Sequence, residues 1–582
     1  MNTVTDSTAA PTTVKPEGGF LRRFGFAEER LFLVLAIYIG VISGLAVVCF
    51  RIAIDWSRIE LLGSAVNPSR YRALFVPAAA GIVVAALVIL VFPRVRGSGV
   101  NQTKAALYIY NGFIPLRTAF GKFICSSLAI GAGHSLGPED PSLQIGAALA
   151  SAVGRRLKLS RDRMRLVAPL GAAAGLAAAF NAPISAVLFV IEEVIGRWSA
   201  GILGAVVLSA ISSVVVARSF LGAEPLFRIP AIPEVRPAEL LAYAILGIVG
   251  GIASVVFARL ISVMRPRLKE LPDWTQYLQP AIAGLLIGAI AWFGAPQVMG
   301  AGYQYIDQAM HDQFTWQMLG VLAGLKIAAT TLSFTTGTPG GMFAPTLFIG
   351  AMLGGAVGGV ERILFPHLTY SVAAYALVGM GVLFSGFLRA PLTSVFMVLE
   401  VSGNYSIIVP VIVANTLAYV ISRNFQPVPL FDMLTRQDGL ELPSLEEQRD
   451  LPPLRVEDAM QPPSIPVLES EELVSAAWSR VESTAQQALF VRFPNQDWVA
   501  LPKAKLAGLA LERPEVALGD ALPAKSSMDV MPKLYPDHTL DVALYHLDDA
   551  GVLPVVNRAD SRKLEGVISL EDVLAAYRRA RE

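Results

Sequence analysis

Charge is the scarcest ingredient of this 582-residue chain: Asp, Glu, Lys and Arg supply 16% of it, against 54% for hydrophobic residues. Mean hydropathy is +0.54. A soluble globular domain carries about a quarter charged residues, so an ordinary soluble enzyme is excluded and an integral membrane protein is implied. Cysteine is almost missing. Cys49 and Cys125 both lie in apolar runs, where a thiol behaves as a small buried hydrophobe, so neither a disulfide framework nor a thiolate metal site is expected. Histidine is equally rare, and His134, the one nearest an acidic pair, has no second His or Cys beside it; no metal centre and no enzyme activity are expected. A net charge of +1 gives no case for nucleic acid as a partner. Residues 1–29 contain no apolar core, which rules out a cleavable signal peptide, and they read as a cytoplasmic N-terminal tail.

What the chain has instead is long apolar runs. Residues 31–54 and 73–92 are long enough to cross a hydrocarbon core of about 30 Å. Further candidate spans lie near 117–132, 166–192, 202–216, 239–265, 279–294, 316–332, 346–364, 373–399 and 407–421, many broken by glycine or proline. The bases Arg155, Arg156, Lys158, Arg161, Arg163 and Arg165 mark a cytoplasmic loop. Beyond Arg423 the pattern changes to a proline- and charge-rich stretch followed by short strand-like runs and amphipathic helical patterns. A soluble α/β domain is expected there.

The chain also repeats itself. Lys122, Gly137, Pro141, Ile145 and Gly146 recur 204 residues later as Lys326, Gly341, Pro345, Ile349 and Gly350, and Ala182, Pro183 and Glu192 recur 208 later as Ala390, Pro391 and Glu400. Two ordered matches at nearly one offset imply a duplicated membrane unit, with halves at about 30–216 and 239–431. Such halves commonly pack as inverted repeats around a midplane site, where broken helices aim their N-termini at an anion. The segments GPEDP (137–141) and GGMFAP (340–345) place glycine and proline before helical runs, exposing free N–H groups at a positive dipole end. RGSGVN (96–101) offers a third start, with the Ser98 hydroxyl as an added donor.

Two acids and two lysines remain to be placed. Glu192 has a repeat partner in Glu400, which favours a structural role, such as bonding to backbone N–H groups, over transport. Glu193 is answered by Val401. The duplicated Lys122 and Lys326 read as structural partners of carbonyls or carboxylates.

In order and spacing, GSGVN (97–101), GPEDP, FNAPISAVLFVIEE (180–193) and GGMFAP resemble the signature segments of the CLC chloride channels and transporters. The resemblance implies an all-α polytopic homodimer in the lipid bilayer, each subunit built from two inverted halves, and Cl−/H+ antiport as its function. A passive voltage- or pH-gated chloride channel is the alternative. It assigns Glu139 as the gating glutamate, Glu193 as the internal proton-transfer residue, and Ser98, the backbone of Met342 and Phe343, and the position of Phe431 to chloride. A bacterial inner membrane with both termini cytoplasmic is the expected location.

Four residues depart from that family's pattern. Pro138 precedes the glutamate and removes one N–H; Asp140 replaces glycine and adds negative charge; Asn101 replaces proline; Phe431 replaces the anion-coordinating tyrosine. Weaker anion binding is expected. After a linker at 432–454, RVEDAM (455–460) and ALGDAL (517–522) open two units, 455–516 and 517–582, that resemble a pair of CBS modules, the first degenerate. The resemblance places Ser569 and Asp572 at an adenine-nucleotide site, against a purely structural dimerising role. No other cofactor is expected.

Overall fold

The computed structural model describes residues 28–579 except 65–67, 197–199, 225, 228, 231–234, 367–370, 441, 443–453, 464–465, 485–487, 495–496, 523–530 and 548–550. The expected N-terminal tail and most of the expected linker lie outside the described residues. The chain divides into two compact units between Gln448 and Arg449.

The first unit is helical throughout. Its helices are α1 (Glu28–Leu62), α2 (Arg70–Ala86), α3 (Val100–Tyr108), α4 (Leu116–Gly131), α5 (Glu139–Arg156), α6 (Arg161–Phe180), α7 (Pro183–Phe189) and α8 (Ala200–Leu221). The second half follows with α9 (Leu240–Lys269), α10 (Thr275–Trp292), α11 (Tyr303–Met310), α12 (Trp316–Thr335), α13 (Phe343–Leu364), α14 (Val372–Leu388), α15 (Pro391–Ser402) and α16 (Ile408–Phe425). Packing follows the repeat: α1 lies on α8 as α9 lies on α16, and α5 lies on α6 as α13 lies on α14. Seven helices among the described residues are long and apolar enough to cross a membrane, judged by length and composition. Their outward faces carry exposed apolar side chains such as Val34, Ile52, Phe75, Val215 and Leu241, the arrangement that hydrocarbon rather than water favours.

Two of the runs expected as single spans are pairs of helices. In 166–192 the chain breaks at Asn181 (φ 57°) and in 373–399 at Arg389 (φ 60°), each followed by an Ala-Pro that starts the next helix. A left-handed residue ends one helix, and proline, whose missing N–H costs nothing at a first turn, begins the other. Small residues let the pairs cross closely. A Cβ on Gly146 would stand 2.1 Å from Gly171 O, and in the second half one on Gly350 would stand 2.3 Å from Gly379 O. The repeated glycines are therefore crossing points between backbones.

A last helix, α17 (Leu430–Gln437), runs through residue 431, where the sequence reading ends the membrane domain. Its buried residues Leu430, Phe431, Met433 and Leu434 belong to the same core as the bundle, so the packed unit extends past the chosen boundary.

The second unit repeats a simpler pattern. Strands β1 (Val467–Glu469), β2 (Ala488–Arg492) and β3 (Trp498–Pro502) form a sheet in that order, with β1 parallel to β2 and β2 antiparallel to β3. Helices Val474–Val481 and Lys503–Glu512 complete the first copy. In the second copy β4 (Val552–Val556) pairs antiparallel with β5 (Leu564–Ser569), and Leu534 bridges Val555 in parallel, in the place of β1. The opening segments are exchanged. Val456 and Ala459 of RVEDAM pack in the core with Leu553 and Ile568, while Leu518 and Ala521 of ALGDAL pack with Leu468 and Val491. A straight division at 516/517 therefore cuts across both cores.

Candidate anion site

Three chain segments converge at the starts of α3, α5 and α13. Gly137 and Gly341, equivalent residues of the two halves, face each other in an antiparallel bridge, and each N–H donates to the other's C=O at 2.8 Å. Equivalent residues running antiparallel where they meet is what a pseudo-two-fold axis between the halves requires. Two residues beyond each glycine comes the helix start, Glu139 of α5 and Phe343 of α13. Ala344 N–H donates to Glu139 Oε2 at 3.3 Å, and Met342 N–H donates to Asp140 Oδ2 at 3.2 Å. Both carboxylates are buried, and both lie on the positive end of α13, a helix of 22 residues, where a negative charge is stabilised by aligned peptide dipoles.

Ser98 joins them from the start of α3. Its Oγ accepts from Val100 N–H at 3.2 Å, and its hydroxyl acts on the Asp140 carboxylate. The loop that carries it is fixed by Lys122, which donates to the carbonyls of Val95 (3.1 Å) and Gly97 (2.5 Å). Lys326 repeats the arrangement in the second half, donating to Val298 O at 2.9 Å and Gly300 O at 2.6 Å. These duplicated lysines bind carbonyls, as their repetition implies. His134 Nε2 lies 3.1 Å from Pro77 O, and among the described residues no His, Cys, Asp and Glu group has metal-binding geometry.

The structure thus brings Ser98, Glu139, Met342 and Phe343 together. It also alters the role of one donor: the Met342 N–H, assigned to the anion by resemblance, is held by Asp140. Phe343 turns its ring away into an aromatic cluster, edge-on to Phe189 at 4.8 Å and stacked on Phe384 at 5.4 Å between centroids. Phe431 closes the same cluster against Phe189 at 6.3 Å and brings a phenyl ring where a phenol is expected.

Glu192 and Glu193 sit on a π-helical turn, Val190–Ile195, that continues α7. Glu192 accepts from Leu392 N–H (3.4 Å), Thr393 N–H (3.0 Å) and the Thr393 hydroxyl (2.7 Å) at the start of α15. Glu400 does the same to α7, accepting from Ile184 N–H (2.9 Å), Ser185 N–H (2.7 Å) and the Ser185 hydroxyl (2.5 Å). Each half caps a helix of the other.

Glu193 meets a buried lysine. Lys104 Nζ lies 3.2 Å from Glu193 Oε1 and 2.8 Å from Asp432 Oδ1, and all three side chains are buried. The triad ties α3, the π-turn and α17 together. Sequence reasoning singled out neither Lys104 nor Asp432; a lone cation in NQTKAALY between two candidate spans, and an acid directly after Phe431, were the available signals.

In the second unit Ser569 and Asp572 form a helix cap. Ser569 N–H and Oγ donate to Asp572 Oδ2 at 2.9 and 2.6 Å, Asp572 N–H donates back to Ser569 Oγ at 3.3 Å, and Gln461 Nε2 donates to Asp572 Oδ1 at 3.0 Å. This is the reciprocal bonding of a capping box.

Comparison with known proteins agrees with the geometry. The family model described as voltage gated chloride channel matches residues 80–423. A ClcB-like chloride channel protein of Ralstonia nicotianae is 31% identical over 401 residues, covering 67% of this chain and 92% of the relative. The H(+)/Cl(-) exchange transporter ClcA of Vibrio campbellii is 32% identical over 437 residues, covering 72% and 92%. Among solved structures, a slow cyanobacterial Cl-/H+ antiporter superposes with a TM-score of 0.65 at 24% identity, covering 73% of this chain and all of that one. A eukaryotic CLC transporter superposes with a TM-score of 0.62 at 21% identity over 94% of this chain and 99% of its own. By its helix starts, its duplicated halves and these matches, the chain belongs to the voltage-gated chloride channel (CLC) family.

Proposed function

We propose that the chain exchanges chloride for protons across a bacterial inner membrane, working as a homodimer with both termini in the cytoplasm and Glu139 as its gate. The observation that carries this reading is the Glu139 carboxylate on the Ala344 N–H at 3.3 Å. A helix N-terminus is a ready anion site, and here a tethered anion fills it. Protonation of Glu139 removes its claim on that donor and lets chloride take the place, so the Glu139 carboxylate and chloride alternate on one set of N–H groups and the proton on the carboxylate decides between them. Glu193, joined to Lys104 and Asp432, is the internal proton-transfer residue of this scheme. Ser98 and the Phe343 backbone hold the anion further along. The names of the exchange transporters among the relatives support the same reading.

Flux from reconstituted vesicles tests it. Wild type is expected to move protons uphill on a chloride gradient, whereas Glu139→Gln keeps chloride flux and loses proton flux. Equal proton flux in both overturns the gate; chloride flux with no proton movement in wild type makes the protein a passive channel.

For the second unit we propose a CBS pair, supported by the twice-used order of helix, two antiparallel strands and helix, preceded by β1 in the first copy and by the Leu534 bridge in the second. Adenine-nucleotide binding at Ser569 and Asp572 requires the ligand to displace Gln461 from Asp572. Calorimetry of the solubilised full chain with ATP, ADP and AMP tests this, and absence of heat leaves the unit a structural role.

A further inference from the structure

Among the described residues of the membrane unit, Glu139, Asp140, Glu192 and Glu400 each accept from N–H groups at the start of another helix, and the bonding differs. Glu192 and Glu400 each accept three hydrogen bonds, which occupy both of their oxygens. Glu139 and Asp140 each take a single N–H from α13. Their second oxygens, Glu139 Oε1 and Asp140 Oδ1, are buried without a hydrogen-bond partner among the described residues. A buried carboxylate kept for structure is normally satisfied, because an unmade bond costs about 1–3 kcal/mol or more for a charged group. Asp140 is bonded like the gate and unlike the caps.

Its surroundings are shaped to receive it. A Cβ on Gly341 would stand 2.9 Å from Asp140 Cγ, and one on Gly99 would stand 2.4 Å from Asp140 O, so two glycines bring the start of α5 against the starts of α13 and α3. The charged groups acting here are Lys122 from α4 on Asp140, Asp140 itself on Glu139, and Arg51 from α1 on Glu139. Lys122 already donates to two carbonyls, so two of its three protons are spent on the loop while its charge acts on the carboxylate.

Resting on the anion-path reading above, we propose that Asp140 is a second tethered anion: its carboxylate fills the seat made by Met342 N–H and the Ser98 hydroxyl, as Glu139 fills the Ala344 seat. A chloride ion reaches that seat only by displacing Asp140. A group fixed beside its own binding site competes at a high effective concentration, so the wild type holds chloride weakly there and releases it readily. Asp140 is thereby a determinant of anion affinity in the path, distinct from the gate, and the single N–H per carboxylate keeps both exchangeable.

Chloride titration calorimetry on the detergent-solubilised full chain reads this without any flux, so it can fail while the antiport reading stands, and the reverse. Asp140→Asn and Asp140→Gly are expected to bind chloride at least tenfold more tightly than wild type, and each combined with Glu139→Gln to bind one chloride more per chain than Glu139→Gln alone. Unchanged affinity and stoichiometry in folded variants overturn the proposal. A measurement on the wild type needs no variant: anomalous diffraction from bromide-soaked crystals is expected to show no bromide at the Met342 N–H, and a bromide there beside an unmoved Asp140 overturns it as well.

Discussion

Two parts of one bundle use the same pairing, a carboxylate on a helix start, to opposite ends. At the α7–α15 contact Glu192 and Glu400 reach across the pseudo-two-fold axis and spend every oxygen on three donors each. At the α5–α13 contact Glu139 and Asp140 reach across the same axis, yet each takes only one N–H of α13. The first arrangement welds two helix starts to the opposite half. The second leaves one oxygen of each acid without a hydrogen-bond partner among the described residues. Full hydrogen bonding makes a carboxylate permanent, and partial bonding makes it replaceable.

The comparison breaks most visibly at the buried triad, which stands with the permanent group. Lys104→Met leaves the carboxylates of Glu193 and Asp432 without their cation, and removing one partner of a buried ion pair costs about 3–5 kcal/mol. Thermal unfolding in detergent should show a large loss; a variant as stable as wild type would show that the triad is not held by charge. Next come the caps. Glu192→Ala and Glu400→Ala should each cost on the order of 3 kcal/mol, from charge-assisted bonds of about 1.5–3 kcal/mol. Glu139→Gln should change the same unfolding midpoint little while it removes proton flux. If the caps and Glu139 proved equally dispensable for stability, the distinction between them would collapse.

Smaller effects sharpen it. In the second unit Asp572→Ala removes a helix cap of the permanent kind and should cost about 1 kcal/mol, read by urea unfolding followed at the tryptophans. Phe431→Tyr is the mildest change. A phenol in the cluster of Phe189 and Phe343 would offer the anion one further donor, and a few-fold gain in chloride affinity is expected by calorimetry.

The duplication was legible because it leaves residues at fixed offsets, and with it came the helix starts, the carbonyl-binding lysines and the structural role of Glu192. The breaks inside 166–192 and 373–399 were harder to place. Asn181 and Arg389 become left-handed only because the next residues, Ala-Pro, must restart a helix, and a hydropathy run averages over such a turn. Asp140 read as a burden on the outer end of the path, since sequence adjacency to Glu139 says nothing of direction; the first turn of α5 fans the two side chains onto different N–H groups of α13. Lys104 and Asp432 lie 328 residues apart, and no local pattern joins them. The crossing of RVEDAM and ALGDAL between the two cores of the second unit escaped for the same reason: each segment's hydrophobic pattern fits either core.

One further consequence follows from the pair of hydrogen bonds between Gly137 and Gly341. They join the two halves at the glycines that precede the starts of α5 and α13, so the halves cannot separate there without breaking both bonds. Under the proposed exchange, the Glu139 and Asp140 side chains have to move against a backbone pinned at this point.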